Sequence, residues 1–468
     1  MGDFPEDFQV ETWRLIQLWI AEGFIRTSSG SHESLEEVAK NYLVDLISRN
    51  LIMARKKRFN GEVKVCGIHD LLCEFCLIEA EMTKFMHVVR TPFSPAQKPN
   101  FRRFSIQTYI EDASMLLPPV ARSMYCFTYL DLPFVPRIKL LPRLPIYCHD
   151  PIIQGFFSCF NHLRVLAIFL PLFSSFPLVI TKLFHLRYLQ VRFFGNIPES
   201  ISELLNLQTL ISEGHYSYRT LPRKIWMLKN LKYIRLKVAS YLPSPRTDKN
   251  LVTGMPNLEE FFGLCYSSCT NEVFSSIPNL KRLTIHAPSR LDNVPYRLLD
   301  MSSLTKLETF KLYWEELKLK CCRARDDVWR LSDKDIQKLE VVGWEASSDN
   351  FPNLKRLVLK KCKDLQEIPT DFVEICTLES IELHDCSTTS EESARNIEQE
   401  QEDMGNNILK VIEAYLEGSS NAIFRIQNLG MDEAKLKSIV KEHFHALNFF
   451  QQIVEFVIYA FIQPYIFT

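Results

Sequence analysis

The fold is decided by the stretch Ile277-Pro278-Asn279-Leu280-Lys281-Arg282-Leu283-Thr284-Ile285, which returns as Phe351-Pro352-Asn353-Leu354-Lys355-Arg356-Leu357-Val358-Leu359. Both stretches have the form L-x-x-L-x-x-L-x-L, the spacing of a leucine-rich repeat. The last two apolar positions flank an outward-facing residue on a short strand, and parallel stacking of such strands buries one continuous leucine seam. An amphipathic helix would sustain spacings of three and four over several turns, whereas each pattern here stops after about nine residues.

The same pattern recurs along the middle of the chain. Other strong copies begin at Leu183, Leu228, Leu304 and Ile375, and weaker ones begin at Phe160, Leu204 and Met255. Successive copies from Phe160 to Leu304 start 21 to 27 residues apart, within the roughly 20 to 29 residues of this repeat. The gap before Phe351 is about two periods, which predicts one degenerate unit through Ile336, Leu339, Val342 and Trp344. We therefore predict an α/β fold, a leucine-rich-repeat solenoid over residues 160–390.

A segment of different texture, residues 1–90, precedes the repeats. The patterns predict a helix over residues 12–22 that stops at Gly23 and a second helix capped by Ser34 and Glu37. Two strands follow, over residues 51–55 and 63–68, joined across Asn60-Gly61. A last helix begins after His69-Asp70, and its apolar side carries Leu71, Leu72, Phe75 and Ile78. Helix, helix, hairpin, helix is the order of a winged-helix domain. Residues 91–159 are predicted as a linker and N-terminal cap of the repeats.

Three stretches of this segment resemble the sequences of a known family. Pro5-Glu6-Asp7-Phe8, Leu15-Ile16-Gln17-Leu18-Trp19-Ile20-Ala21-Glu22-Gly23 and Ile68-His69-Asp70-Leu71-Leu72 are similar to the winged-helix end of the nucleotide-binding module of plant NLR immune receptors. The coiled-coil class and its late-blight-resistance-like branch match best. The resemblance implies an intracellular immune receptor fragment for the defence response, whose repeats serve recognition and autoinhibition. It implies protein partners: a pathogen effector, a host regulatory protein or other domains of the receptor.

The resemblance also implies a nucleotide contact. In that family a histidine just before the last helix of the winged-helix domain approaches the β-phosphate of ADP and acts as the nucleotide sensor. His69 matches this sensor histidine, and Asp70 matches its neighbour, which caps the helix. No G-x-x-x-x-G-K-[ST] loop occurs in the 468 residues, and such a loop supplies most of the phosphate contacts. We expect ADP or ATP to belong to full-length relatives, and this chain to be neither a tight ATP binder nor an enzyme.

Bulk composition bounds the partners and the compartment. A formal net charge of −1 gives no global attraction to nucleic acid or to an anionic membrane. Thirteen scattered cysteines and an acidic N-terminus predict reduced thiols and no secretory signal. We expect a cytoplasmic protein, with the nucleus or a peripheral membrane site as alternatives. The apolar segment 449–468 is interrupted by polar residues and predicts a covered amphipathic helix in preference to a membrane contact.

The outward positions of the repeat strands are the candidate protein-binding residues. They include Tyr188, Arg192, Tyr233, Arg235, Phe262, Arg282, Lys311 and Arg356. Concave solenoid faces are recurrent binding sites, and the cations would suit an acidic protein surface. A solvated face without a partner is the competing interpretation, because Glu260 and Glu382 dilute the basic stripe.

Three other hypotheses remain open. A zinc site at Cys66, His69, Cys73 and Cys76 competes with buried thiols, and the sequence offers no second C-x-x-C pair. Arg55-Lys56-Lys57-Arg58 is consistent with a winged-helix nucleic-acid binder or with a solvated hairpin tip. A stand-alone repeat adaptor of the ubiquitin-ligase type is the third. Beyond the repeats, residues 391–468 are predicted as an acidic linker, helices over residues 406–417 and 432–443, and the apolar tail. The acidic stretch itself runs from Ser387 to Asp403 and is predicted as a solvated cap or linker.

Overall fold

A computed structural model of the chain describes most of residues 4–414. The described residues are 4–5, 8–27, 33–58, 61–90, 101–107, 120–127, 157, 160–213, 219–245, 254–288, 301–315, 351–363, 365 and 367–414. The degenerate unit predicted over residues 336–344, the helix predicted over residues 432–443 and the segment 449–468 lie outside these ranges.

The first domain has the predicted winged-helix order. Its elements are β1 (Val10–Glu11), α1 (Thr12–Glu22), α2 (Leu35–Ser48), β2 (Met53–Lys57), β3 (Val63–Gly67) and α3 (Asp70–Met82). Strand β3 is the centre of a three-stranded antiparallel sheet in the order β1-β3-β2. This order confirms the helix, helix, hairpin, helix prediction.

Local signals fix the helix ends. Helix α1 stops at Gly23, whose backbone φ of +83° is readily adopted by glycine, and the Gly23 N–H donates to the Ile20 carbonyl at 3.0 Å. Helix α2 starts in the predicted capping box, because Glu37 N–H donates to Ser34 Oγ at 3.2 Å and Ser34 N–H donates to Glu37 Oε2 at 2.8 Å.

Two predictions for α3 were wrong. Asp70 is the first helical residue, and the N-cap is His69, which caps no backbone N–H with its side chain in the described part of the chain. Phe75 and Ile78 are 64% and 57% exposed, although we placed them on the packed side. The packed side runs through the buried Cys73, so the helix is rotated from the side that the apolar pattern indicated.

The second domain is a parallel sheet built from one strand per repeat. Its strands are β4 (His87–Val89), β5 (Arg103–Ile106), β6 (Ser123–Cys126), β7 (Val165–Phe173), β8 (Tyr188–Phe193), β9 (Thr209–Ser212), β10 (Arg219–Thr220), β11 (Tyr233–Tyr241), β12 (Glu260–Cys265), β13 (Arg282–Pro288), β14 (Thr309–Glu315), β15 (Arg356–Lys360), β16 (Ser380–His384) and β17 (Lys410–Ala414). They pair in chain order, except that β9 pairs directly with β11 and β10 adds to β11 at the side. A short helix α4 (Asn271–Ser275) and a longer helix α5 (Thr388–Asp403) complete the domain.

The sheet extends past both predicted limits of the repeats. Strand β4 lies within the predicted winged-helix segment 1–90, β5 and β6 lie in the predicted linker and N-terminal cap, and β17 lies beyond residue 390. Strand β14 pairs directly with β15, with Thr309 opposite Arg356.

The leucine seam is buried as predicted, and an asparagine ladder joins neighbouring repeats beside it. Leu280, Leu283 and Ile285 are fully buried in one core cluster that continues through every described repeat. Side-chain amides donate to the backbone carbonyl of the preceding repeat at 2.7 to 2.9 Å, from Asn206 to Phe184, Asn230 to Leu205, Asn257 to Lys229, Asn279 to Pro256 and Asn353 to Thr305. Each bond satisfies a carbonyl that the turn leaves outside the sheet ladder.

Prolines begin the return segments opposite the sheet. Pro198, Pro222 and Pro369 precede 3₁₀ helices at Glu199–Glu203, Arg223–Met227 and Thr370–Glu374. Proline lacks an N–H and has a fixed φ, so it fits the start of a helical turn.

The acidic segment predicted as a solvated cap or linker is a helix with one buried side. Ser387 is the N-cap of α5, its Oγ accepts the Ser390 N–H at 3.2 Å, and the helix buries Ala394, Ile397 and Gln401. The acidic residues lie mostly on its exposed side, and their number concealed the apolar period of three and four. The helix predicted over residues 406–417 was also wrong, because Lys410–Ala414 pairs with β16 as a strand.

Candidate protein-binding face of the repeat sheet

Alternate residues of each strand point away from the core and form two rows across the sheet. The first row is Tyr188, Thr209, Tyr233, Glu260, Arg282, Thr309, Arg356 and Ser380. The second row is Gln190, Ile211, Arg235, Phe262, Thr284, Lys311, Val358 and Glu382. Because neighbouring strands lie about 4.8 Å apart, each row brings its side chains into reach of one another.

Gly263 sets the position of Phe262 in the second row. Its φ is +96°, and a Cβ there would lie 2.1 Å from the Leu236 carbonyl oxygen. The pairing of β12 with β13 shifts by one residue between Phe262 and Leu264. Phe262 consequently stays on the outer face while Leu264 returns to the core.

The winged-helix domain covers the first half of this face. One core cluster contains Phe4, Leu15 and Leu18 from the winged helix together with Tyr188 and Ile211 from the sheet. We call the outward side chains of β6 to β11 the covered half-face. The two domains thus share an apolar core, which packs them as one body.

Aromatic rings fill the upper part of this interface. The Phe127 and Phe169 rings of the sheet stack with centroids 4.4 Å apart. Phe4 meets these two rings at 5.6 and 6.0 Å, and Phe8 meets them at 5.2 and 5.5 Å. Edge-to-face pairs at these distances add stability beyond the area they bury.

Polar side chains of α1 bind the sheet on both sides of the rings. Arg14 donates to Gln190 Oε1 at 3.2 Å and to Glu213 Oε1 at 3.1 Å. Glu22 is buried and accepts from Tyr125 Oη and from Arg103 Nε, each at 3.0 Å. Charge-assisted bonds of this kind tolerate little displacement.

The domain boundary is bridged at two further points. Glu36, on α2, accepts from Lys232 Nζ at 3.0 Å and from Tyr233 Oη at 3.3 Å. Trp13 lies under the Arg235 guanidinium, with the Arg235 Cζ 3.9 Å from the ring centroid. Both contacts are close enough for direct electrostatic attraction.

Tyr188 and Tyr233 are therefore not free anchors for another protein. Tyr188 is 0% and Tyr233 is 2% exposed, and burial raises the pKa of both phenols well above the ordinary value. Tyr188 donates to Gln190 Oε1 at 3.0 Å. Both tyrosines contact the winged-helix domain of the same chain. The sequence predicted that domain but not its position on the repeat sheet. Arg192 also lies on the covered side and donates to the Phe169 carbonyl at 3.3 Å.

Within the described ranges, the core shared with the winged helix contains no side chain of β12 to β16. We call the outward side chains of these strands the open half-face. Phe262, Arg282, Lys311 and Arg356 lie on it, as predicted from their outward positions. Each of these four side chains is partly exposed. This is the part of the candidate site that the fold leaves accessible.

An aromatic array runs along the open half-face. The imidazole of His286 stacks on the Tyr313 ring with centroids 5.0 Å apart, and Phe262 meets the two rings edge-on at 5.7 and 6.3 Å. The Lys360 Nζ lies 5.1 Å from the Tyr313 centroid. Partly exposed aromatics are frequent anchors of protein interfaces.

Two carboxylates hold three of the arginines. Glu260 contacts Arg235 at 3.3 Å and Arg282 at 2.7 Å. Burial opposes ionisation of Glu260, but the two guanidinium groups outweigh burial and lower its pKa. Glu382 contacts Arg356 at 2.5 Å. Burial opposes its ionisation too, but the His384 imidazole, 3.6 Å away, and the contact with Arg356 together lower its pKa.

Lys311 lies between these two clusters without a carboxylate of its own. Within the described ranges, the Lys311 ammonium makes no hydrogen bond and no ion pair. Burial, reinforced by the charge of Arg356, lowers its pKa to about 7. A cation in this state can gain a partner without losing one.

His69 and Asp70 lie at the start of α3, away from the repeat sheet. The His69 side chain is exposed and makes no hydrogen bond within the described part of the chain. The N-terminus of α3 presents backbone N–H groups that favour an anion. The His69 side chain is thus accessible to a phosphate group. The further hydrogen-bond donors that a phosphate needs would have to come from other residues.

The competing motif interpretations find little support in the geometry. Cys66 and Cys73 are buried, burial raises the pKa of the Cys66 thiol to about 11, and His69 is exposed. Among the described residues, no three His, Cys, Asp or Glu side chains are grouped as metal ligands would be. The 55–58 basic run is exposed, as predicted for a hairpin tip, and Arg58 pairs with Glu62 at 3.1 Å.

Sequence reasoning missed the interface residues Arg14, Glu22, Glu36 and Glu213. One signal was present: the large apolar residues of α1 cover well over half of its circumference, at Trp13, Leu15, Ile16, Leu18, Trp19 and Ile20. An apolar stripe of this width indicates a helix that packs on more than one side. The polar partners of that second cover had no recognisable pattern.

Comparison with known proteins agrees with this architecture. Residues 4–76 match the winged helix domain of disease resistance proteins, and residues 147–390 match a leucine-rich repeat region. The chain therefore belongs to the leucine-rich-repeat family, in the class that carries a disease-resistance winged helix.

The relatives place it more narrowly beside late blight resistance homologues. Two putative late blight resistance protein homologs of Solanum demissum are each 30% identical over 482 residues, which cover 88% of this chain and 35% of each relative. The chain thus spans about a third of the length of these relatives. A leucine-rich-repeat protein of Leptospira interrogans aligns with 67% of this chain and 78% of its own at 14% identity and a TM-score of 0.34. In the ranges that the structure describes, no helix combines the length and apolar character that crossing a bilayer needs.

Proposed function

We propose that this chain is the winged-helix and repeat part of a plant disease resistance receptor that recognises another protein on its open half-face. The observation that carries the proposal is the unequal coverage of the sheet: the winged helix buries Tyr188 and Tyr233, whereas Phe262 and Tyr313 stay partly exposed. Resistance to late blight is named for the relatives, and a comparable defence role is what we propose here. The partner would be a pathogen effector, a host regulatory protein or another domain of the receptor.

The covered half-face supports a restraining role for the repeats. Arg14, Glu22 and Glu36 reach the sheet from α1 and α2 and bind side chains across the domain boundary. A winged helix held in this way has one orientation relative to the repeats. Any switch that needs the winged helix to turn must first break these contacts, and this cost is the autoinhibition that we propose.

The nucleotide part of the proposal concerns longer relatives. There, ADP would supply a charged phosphate group that His69 contacts at the start of α3, with Asp70 beside it. This chain would bind no nucleotide tightly, because one imidazole provides too few of the contacts a phosphate needs. We further propose that it performs no catalysis and acts in the cytoplasm.

The test uses the native gene in its source plant. The gene is disrupted, and resistance is scored against a pathogen panel that includes late blight. It is then restored with the wild-type gene, with a Phe262→Ala, Tyr313→Ala variant, or with a control Leu205→Ala variant whose side chain is 55% exposed away from the open half-face.

We expect disruption to increase susceptibility to at least one pathogen. The wild-type and control genes should restore resistance, and the open half-face variant should fail at equal protein level. Full rescue by the open half-face variant would show that recognition occurs elsewhere. No change on disruption against the whole panel would contradict the receptor role itself.

A further inference from the structure

We propose that the open half-face contains a carboxylate subsite at Lys311, which takes an aspartate or glutamate side chain of a protein segment whose neighbouring apolar residue contacts Tyr313 and Phe262. The inference rests on the proposed function, because it specifies what the recognised protein presents to this face.

Among the described residues, Lys311 has no carboxylate partner, whereas the neighbouring arginines do. Arg282 is held by Glu260 at 2.7 Å, and Arg356 is held by Glu382 at 2.5 Å. The residues that pair with Lys311 on the flanking strands are the uncharged Thr284 and Val358. Glu260 and Glu382 each lie on a strand two steps away, roughly 10 Å across the sheet. A carboxylate arriving from outside would therefore meet an unengaged ammonium.

The charge balance favours an acidic partner. Among the side chains that the structure describes, the outward positions of β12 to β16 hold the four cations Arg282, Lys311, Arg356 and Lys360 and the two carboxylates Glu260 and Glu382. The excess of positive charge lies at the centre of the open half-face. Its magnitude suits one or two carboxylates, whereas a nucleic-acid strand would need a longer run of cations for its phosphates and would meet Glu260 and Glu382 at both edges.

Spacing along β14 identifies the residue that accompanies the acid. Tyr313 follows Lys311 by two residues on the same face, so the two side chains are about 7 Å apart along the strand. An extended peptide repeats its side chains on one side at the same interval. An acid in contact with Lys311 thus places an apolar residue two positions away on Tyr313, with Phe262 6.3 Å from that ring.

Protonation links binding to pH. The pKa of Lys311 is lowered to about 7, chiefly by burial and then by the charge of Arg356. A bound carboxylate raises that pKa, so binding takes up a proton above pH 7 and weakens as pH rises. The charged and titratable groups around Lys311 are Arg235 from β11, Glu260 from β12, Arg282 and His286 from β13, Tyr313 from β14, Arg356 and Lys360 from β15, and Glu382 and His384 from β16. The Lys311→Arg variant keeps all of them and fixes only the charge at residue 311.

The experiment selects peptides with the whole chain. A displayed random dodecapeptide library is panned on wild type, Lys311→Met, Lys311→Arg and the matched control Lys237→Met, which removes an exposed lysine from β11. Selected peptides are synthesised with a fluorescent label, and Kd is measured by polarisation at about pH 6.5 and about pH 8, on either side of the Lys311 titration. A single-stranded DNA dodecamer is measured in parallel.

We expect wild type to select peptides with an acid two positions from an aromatic or aliphatic residue. Lys311→Met should weaken their binding about tenfold, since one charge-assisted contact is lost, while Lys311→Arg and Lys237→Met stay within about twofold. Wild-type affinity should fall about fourfold between the two pH values, because the deprotonated lysine keeps about the one-tenth affinity expected for Lys311→Met. The Lys311→Arg affinity should stay nearly constant.

Three results would overturn the inference. Peptides without an acid, sensitive to Phe262→Ala with Tyr313→Ala but not to Lys311→Met, would refute the subsite and leave the proposed function standing. A library that yields no peptide sensitive to any open half-face substitution would refute both. Tighter binding of the DNA dodecamer than of any peptide, with loss in Lys311→Met, would assign the face to nucleic acid.

Discussion

The covered and open half-faces are made by the same repeat and differ only in what their strands present outward. On β6 to β9 the outward residues include Tyr125, Ala167, Tyr188 and Ile211, and these pack against the winged helix. On β13 to β16 they include Arg282, Lys311, Arg356 and Glu382. The inward leucines are equally buried in both halves. The repeat scaffold therefore fixes the positions of the outward side chains, and the identity of these side chains distinguishes the half that packs against the winged helix from the open half.

The largest expected loss of stability is at the aromatic centre of the covered half-face. Phe169→Ala removes a ring that is 8% exposed and lies 4.4 Å from the Phe127 centroid. We expect a loss of about 3 kcal/mol in the free energy of unfolding of the winged-helix domain, the usual cost of a buried Phe→Ala change. Urea unfolding of the intact chain followed by tryptophan fluorescence measures it, with Trp13 and Trp19 as two of the six tryptophans that report.

The control is Phe184→Ala, a ring that is 55% exposed. It should change stability by no more than about 0.5 kcal/mol. Equal effects of the two substitutions would mean that the winged helix does not depend on the sheet for its stability.

The next effect is at the buried carboxylate. Glu22→Ala leaves Tyr125 Oη and Arg103 without their acceptor, and we expect a loss of about 2 kcal/mol, as for buried hydrogen bonds to a charged group. Glu62→Ala is the matched control, because its partners Lys40 and Arg58 are exposed; it should cost well under about 1 kcal/mol. A Glu22→Ala cost as small as that of the control would contradict the role of this contact.

The open half-face is probed by pH. Lys311 has an ordinary pKa of 10.5 when unfolded and about 7 when folded, so between these values the unfolded state holds a proton that the folded state has released. Folding stability from this group therefore rises with pH across that window. The free energy of unfolding of wild type, relative to Lys311→Met, should increase from pH 7 to pH 10. A difference that is independent of pH would show that Lys311 is not desolvated.

The smallest expected effect concerns the partly exposed ion pair at the edge of the covered half-face. A double-mutant cycle of Glu36→Gln and Lys232→Met should give a coupling of about 0.5 kcal/mol, because the pair is only partly removed from water. Urea unfolding of the four proteins measures the coupling. Additive effects of the two substitutions would place no energy in this contact.

Sequence patterns predicted the repeated elements well and the contacts between domains poorly. The spacing of Leu280, Leu283 and Ile285 reports a local period, and so do the Gly23 stop and the Ser34–Glu37 capping box; each was found in the structure. The pairing of Arg14 with Glu213, 199 residues apart, has no period and no local signal. The same holds for Tyr188, whose outward position was predicted but whose cover was not. Helix α5 was missed because acidic residues outnumber its two buried apolar residues, Ala394 and Ile397.

The most direct test measures side-chain accessibility in the intact chain by hydroxyl-radical footprinting with mass spectrometry. It compares Tyr188 and Tyr233, which are 0% and 2% exposed, with Phe262 and Tyr313 on the open half-face. We predict that Tyr188 and Tyr233 are protected in wild type and become labelled in Phe169→Ala, while Phe262 and Tyr313 are labelled in both proteins. Labelling of Tyr188 in wild type at the rate of Tyr313 would contradict the division of the sheet into a covered and an open half.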